Sequence, residues 1–193
     1  MRRGVALAAA LLALVACGSD PHEFTGYRLD PPQQVGHTAL PDLANDGAEF
    51  TLRAQPGELL LVYFGYTNCP DACPATLGDT AIAEQQIELD TPGAAERIDV
   101  AMITVDPHRD LPVVADYVAA FHADGHALGT DDPAALRATA EAFGASYEVD
   151  GTDVGHSTHL YAVDDTGTVV MTWVWPTELP ALTADLRELL EQA

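Results

Sequence analysis

The chain has 193 residues, 48% of them hydrophobic, which suffices for one sizeable core and gives no sign of a second domain. Its 30 acidic residues stand against eight arginines and no lysine, a formal charge of -22 that repels phosphate backbones and anionic lipid surfaces. Nucleic-acid binding and a polybasic membrane mode are thereby disfavoured, and the acidity itself reads most simply as a solvated surface.

Arg2 and Arg3 precede a run of Ala, Leu and Val that ends at Val15, the charged and apolar regions of a secretory leader too short to span a membrane. Leu14-Val15-Ala16-Cys17 resembles the bacterial lipobox, which implies cleavage after residue 16, a lipid on Cys17 and an extracytoplasmic protein anchored to a bacterial membrane. The polar stretch from Gly18 to about Gln34 reads as a tether, residues 17–36, with His22 and His37 facing solvent. Residues 37–193 then form the folded domain.

Within it, Asn45-Asp46-Gly47 between short apolar segments predicts a hairpin over Leu40 to Leu52. The unbroken apolar run Leu59 to Phe64 predicts a strand buried on both faces, and it delivers Cys69 and Cys73 into a proline-rich turn. Pro74 is harmless only in a first helical turn, so the following helix starts near Asp71 or Ala72 and runs to about Leu89, with Cys69 in the turn and Cys73 on the helix. Ile98 to Val105 is a strand leading into Asp106-Pro107-His108-Arg109-Asp110, after which Leu111 to Phe121 reads as a helix capped by Asp110.

A short strand at Ala127 to Thr130, a helix from Pro133 to Phe143 capped by Asp132 or Asp131, and a short strand at Ser146 to Val149 follow. Asp150 to Gly155 reads as a polar loop. His156 to Val163 and Thr168 to Trp175 form a hairpin over Asp164-Asp165-Thr166-Gly167. The last helix, about Leu179 to Glu191, buries Leu182, Leu186, Leu189 and Leu190. Cysteines after the strand that opens the first βαβ unit predict an α/β fold of the thioredoxin-like kind, with an added N-terminal β-hairpin.

The positive end of a helix favours thiolate, the form of sulfur that attacks disulfides and binds soft metals. With three residues between Cys69 and Cys73, the pair can close a disulfide or hold a metal ion, and a plain structural role also stays open. Of the histidines, His108, His122 and His126 lie in polar or loop contexts and are expected to be exposed. His156 stands at the entry to the terminal hairpin, and on one continuous strand His156 and His159 point to opposite faces, so only one can face the cysteines.

Three segments in order carry a family resemblance: Tyr63-Phe64-Gly65-Tyr66-Thr67-Asn68-Cys69-Pro70-Asp71-Ala72-Cys73-Pro74, then Thr104-Val105-Asp106-Pro107-His108-Arg109-Asp110, then Gly155-His156-Ser157-Thr158 with Leu160-Tyr161-Ala162-Val163-Asp164. They resemble the Sco/SenC copper chaperones of cytochrome c oxidase. The resemblance implies that Cys69, Cys73 and His156 bind copper, as Cu(I) or Cu(II), and that Cys69 and Cys73 form a redox disulfide. It further implies the copper-site subunit of the oxidase as partner, with another copper chaperone or a thiol reductant beside it. Two thiolates and an imidazole are in any case a soft donor set suited to Cu(I).

The chain departs from the family at Asn68, commonly His, and at Gly155, commonly Asp. The second change removes an acidic neighbour that could orient the imidazole, a role left to Asp153 or Asp106. Asp106, Arg109 and Asp110 are candidates for a cluster behind the ligands or facing a partner, with capping and surface pairing as the plain alternative. The rival function is an extracytoplasmic thiol-disulfide oxidoreductase acting on the oxidase cysteines or other disulfides, and a third is a redox-responsive sensor.

Overall fold

The computed structural model describes residues 22–193, so the leader, the lipobox with Cys17 and the first residues of the predicted tether lie outside the described residues. Strands β1 (Ala39–Asp42) and β2 (Ala48–Thr51) form the N-terminal hairpin, followed by β3 (Leu59–Gly65), α1 (Ala72–Asp90) and β4 (Ile98–Thr104). The short helices α2 (Pro107–Asp110) and α3 (Val114–Ala119), strand β5 (His126–Leu128) and α4 (Pro133–Ala142) come next. Then come β6 (Tyr147–Asp150), β7 (Asp153–His156), β8 (His159–Val163), β9 (Val169–Val174) and α5 (Leu179–Gln192).

One seven-stranded sheet orders the strands β2-β1-β5-β4-β3-β8-β9, and β6 and β7 make a separate two-stranded sheet. Strand β3 lies inside the large sheet, parallel to β4 and antiparallel to β8, and all of its residues are buried. Its side chains alternate between two cores. Leu59, Leu61 and Tyr63 pack with Leu77 and Ile87 of α1, Val118 of α3 and Leu186 of α5 on one face. Leu60, Val62 and Phe64 pack with Leu136 of α4, Phe143, Val35 and Leu52 on the other. This two-sided burial is the physical basis of the apolar run seen in the sequence, and helices on both faces make the fold thioredoxin-like.

Several expectations are corrected. Residues 22–36 do not form a free tether: Tyr27 bridges to Thr172 and Gln34 to Thr168, and Val35 is fully buried. Its first described residues, His22, Thr25 and Gly26, are donors to a buried carboxylate, and Gln33 and Gln34 bond to Phe143 and Thr168. Asp185 of α5 accepts hydrogen bonds from His22 Nε2 (2.7 Å), Thr25 Oγ1 (2.7 Å), the backbone N–H groups of Thr25 and Gly26 (both 3.0 Å) and Trp173 Nε1 (2.8 Å). His22 therefore faces Asp185 rather than solvent. Gly26 lets the strap lie flat, since a Cβ there would fall 2.7 Å from Met171 Cγ and Trp173 Nε1.

His122 is buried, with Nδ1 3.1 Å from Glu84 Oε2 and Nε2 3.0 Å from Thr80 Oγ1, so it pins α1 to the segment after α3. His126 is half-buried against Asp42, at 2.8 Å. Both looked polar in sequence because their partners are remote in the chain. The helix expected over Leu111 to Phe121 is divided: Pro107–Asp110 already forms a turn of helix, and helix resumes only at Val114. Asp110 is consequently not an N-cap. The polar loop expected over Asp150 to Gly155 is a hairpin, because Asp153–His156 pairs back onto Tyr147–Asp150.

The strap yields a stability prediction. Asp185→Ala leaves the indole, hydroxyl and amide donors without an acceptor, and a loss of about 3 kcal/mol is expected in urea denaturation at pH 7. Burial raises the Asp185 pKa, but the donors from Trp173, Thr25, Gly26 and His22 lower it by more, so the carboxyl sits below its ordinary range. Its contribution is therefore complete above the unfolded-state pKa of about 3.9 and is lost as pH falls through the folded value. The wild-type protein should lose stability on acidification more steeply than Asp185→Asn.

Candidate metal centre

The site is built where β3 ends. The carbonyl of Gly65 accepts the Val105 N–H at 2.9 Å, which prolongs the pairing with β4, and the chain then turns, with Cys69 N–H donating to Tyr66 O at 3.2 Å. Asp110 holds this turn from outside: its carboxylate accepts Thr67 N–H at 2.9 Å, Thr67 Oγ1 at 2.6 Å and Thr104 Oγ1 at 2.7 Å. Asp71 caps α1, accepting Ala72 N–H at 2.7 Å. Pro74 falls in the first turn of α1, where no intrahelical partner for its missing N–H is needed.

Cys69 is half-buried in the turn, and Cys73 is buried in the first turn of α1. The Cys73 N–H, one of the free donors at the helix start, points at Cys69 Sγ from 3.4 Å. The Cys73 sulfur lies against Gly65, where a Cβ would come within 2.9 Å of Sγ, 2.8 Å of Tyr63 Cε1 and 3.1 Å of Met102 Cε. Burial pushes the Cys73 thiol up to about 12, a backbone hydrogen bond from Tyr66 opposing and neighbouring Cys69 adding to the rise. The Tyr63 hydroxyl is buried on the same side of the sheet.

His156 closes the triangle from the end of β7. Its Nε2 is 3.7 Å from Cys73 Sγ, and its Nδ1 is 3.0 Å from the Ser157 carbonyl. A carbonyl can only accept, so Nδ1 carries the proton and the Nε2 lone pair faces the sulfur. Burial lowers the His156 pKa, with hydrogen bonds to the Ser157 and Phe64 backbone working the other way, which keeps the ring neutral. Edge contacts with Tyr63 and Tyr66, at centroid separations of 6.0 and 5.6 Å, hold its plane. The two sulfurs and the imidazole lie within 4.8 Å of one another. Two potential thiolates and a free imidazole lone pair, with no carboxylate among them, fit a soft cation such as Cu(I).

The sequence and the structure meet unevenly here. Cys69, Cys73 and His156 come together, and His159 lies apart against Tyr161. The alternation argument does not apply, because Ser157 and Thr158 break the chain into two strands and the histidines sit on different ones. Neither Asp153 nor Asp106 orients the imidazole: Asp153 is exposed, Asp106 pairs with Arg109, and the Ser157 carbonyl takes the role. Gly65, Tyr63 and Ser157 went unassigned in the sequence. Only Gly65, a lone glycine at the end of a bulky apolar run, carried a visible signal.

Fold and site together define a thioredoxin-like protein with a dithiol and an imidazole converging at the start of its first long helix. The SCO1/SenC family matches residues 42–191, and the chain belongs to that family. Among relatives, the SCO2-like protein of Rickettsia felis is 32% identical over 133 residues, 63% of this chain and 61% of that protein, so the match spans about three fifths of that relative's length. The solution structure of apo Sco1 from Thermus thermophilus superposes with a TM-score of 0.73 at 31% identity, covering 89% of this chain and 99% of that one. Arabidopsis thaliana ScoI with copper bound gives 0.70 at 26% identity, covering 81% and 97%.

Two outcomes follow from this geometry. Gly65→Ala forces the new methyl against Cys73 Sγ and the Tyr63 ring, and a loss of about 2 kcal/mol is expected in chemical denaturation, with altered thiol reactivity of Cys73. In the reduced protein, iodoacetamide at pH 8 should alkylate the half-buried Cys69 at least about tenfold faster than Cys73, whose protonated sulfur is a poor nucleophile, as peptide mapping would read.

Proposed function

We propose that this chain carries copper on Cys69, Cys73 and His156 and delivers it to the dinuclear copper site of a cytochrome c oxidase subunit. The observation that carries this reading is the convergence of two sulfurs and one imidazole nitrogen within 4.8 Å, all on backbone held by the large sheet or packed against it. The Arabidopsis relative, solved with copper bound, supports it. Cu(I) binding requires both sulfurs as thiolates, so thiol protons on Cys69 and Cys73 leave to solvent, whereas His156 presents Nε2 with its proton already on the Ser157 side. Three donors without a fourth leave the ion open to an incoming thiolate of the recipient or of another copper chaperone.

Attachment through a lipid on Cys17 belongs to the same reading and places the protein outside the cytoplasm. Among the described residues no helix is long and apolar enough to cross a membrane.

One observation favours the rival, a thiol-disulfide oxidoreductase. Cys69 is the more accessible sulfur and sits at a helix start, the usual setting of an attacking thiol. Replacing either cysteine removes both activities, so the histidine decides. On the copper reading, His156→Ala weakens Cu(I) retention at least about a hundredfold in anaerobic competition titrations, keeps disulfide reduction within about threefold of wild type, and fails to restore oxidase assembly in cells lacking the protein. Restored assembly by a well-expressed His156→Ala protein at limiting copper would transfer the assignment to the oxidoreductase.

A further inference from the structure

The two halves of the site come from structurally separate pieces. Cys69 and Cys73 stand on the turn between β3 and α1, which belong to the main sheet and its helical layer. His156 ends a hairpin that shares no strand pairing with that sheet. Most residues of β6 and β7 are exposed, and the hairpin is attached at its base by Ser157 N–H to Ser146 O at 2.8 Å and by the packing of Tyr147 and Val154 on the core. Arg137 stacks on Tyr147, 5.7 Å from the ring centre. Among the described residues the far end of the hairpin has one polar tie: Arg109 Nη1 donates to the Gly151 carbonyl at 3.1 Å.

That guanidinium is aimed from α2. Arg109 Nε pairs with Asp106, whose carboxylate is buried, so one edge of the fork is occupied and another reaches the hairpin tip. From the same four-residue helix, Asp110 clamps Thr67, two residues before Cys69. A single turn of backbone therefore touches both the cysteine loop and the histidine hairpin. We infer that α2 sets the spacing between the sulfurs and the imidazole, with Arg109 as the positioning residue that holds the β6–β7 hairpin, and with it His156, against Cys73. The consequence for copper rests on the ligand reading above; the mechanical link does not.

The plain alternative is an ion pair within α2 that happens to touch Gly151. Hydrogen exchange of the reduced, metal-free protein separates the two. Arg109→Ala should speed exchange of the amides from Tyr147 to His156 about fivefold to tenfold, as expected for losing a charge-assisted hydrogen bond at a partly exposed site, and leave β3 and β4 unchanged. The exposed Arg53→Ala controls for the lost charge. In a second arm, each protein loaded with one equivalent of Cu(I) passes it to excess bicinchoninate, and Arg109→Ala should release it about tenfold faster than wild type, approaching His156→Ala. Wild-type exchange in the Arg109→Ala hairpin overturns the inference whatever the metal does. Faster release from His156→Ala but not from Arg109→Ala overturns it as well. Faster hairpin exchange with unaltered release from both variants keeps Arg109 as the positioning residue and rejects His156 as a copper ligand.

Discussion

Strand β3 is the constraint on which the molecule rests. A strand buried on both faces must have both edges paired and both faces covered, because an unpaired peptide group in an apolar interior is costly. Strands β4 and β8 take its edges, helices α1, α3 and α5 cover one face, and α4 with the N-terminal strap covers the other. The strand also ends at Gly65 against the sulfur of Cys73, so the element buried on both faces leads directly into the two cysteines.

Two of the three donors are held back by burial. Cys73 is kept protonated by burial, and His156 is kept neutral by the same cause with its proton directed to Ser157. Cys69 alone is partly open, and it borrows an N–H from the helix start. A soft cation held by this triangle would take the place of thiol protons and use a lone pair already aimed at the sulfurs. A hard cation finds no carboxylate in the set.

The acidic composition takes on a second meaning in the fold. Among the described residues four aspartates are buried, and with no lysine in the chain they are satisfied by amides, hydroxyls, an indole, imidazoles and one arginine. Asp42 joins β1 to β5 through Ala127 N–H at 3.1 Å and His126 at 2.8 Å. Asp185 straps the N-terminal segment onto α5 and β9, Asp110 clamps the cysteine turn, and Asp106 aims Arg109. Most of the charge is solvated, but these carboxylates act as internal ties. A buried acceptor that gathers several donors from remote segments specifies how those segments meet.

Local signals in the chain were enough to determine much of this. The apolar run at Leu59, the turn residues at Asn45-Asp46-Gly47 and Asp164-Asp165-Thr166-Gly167, Pro74 in a first turn and the leucine stripe of α5 each follow from chemistry within a few residues. The cysteine turn and its helix were legible for the same reason, and the family resemblance brought in His156. What only the tertiary structure decided depends on partners far away in sequence. Asp110 looked like a cap until Thr67, 43 positions earlier, claimed it, and residues 22–36 looked like a tether until Asp185 gathered their donors. The hairpin at Asp150 is a local pairing whose Asp150-Gly151 turn is itself a sequence signal that the polar composition masked, whereas the contact from Arg109, 42 positions earlier, is invisible to any local pattern. A residue's own chemistry sets what it can bond, but a folded chain chooses the partner, since burial makes every unpaired polar group expensive and leaves few arrangements that satisfy them all.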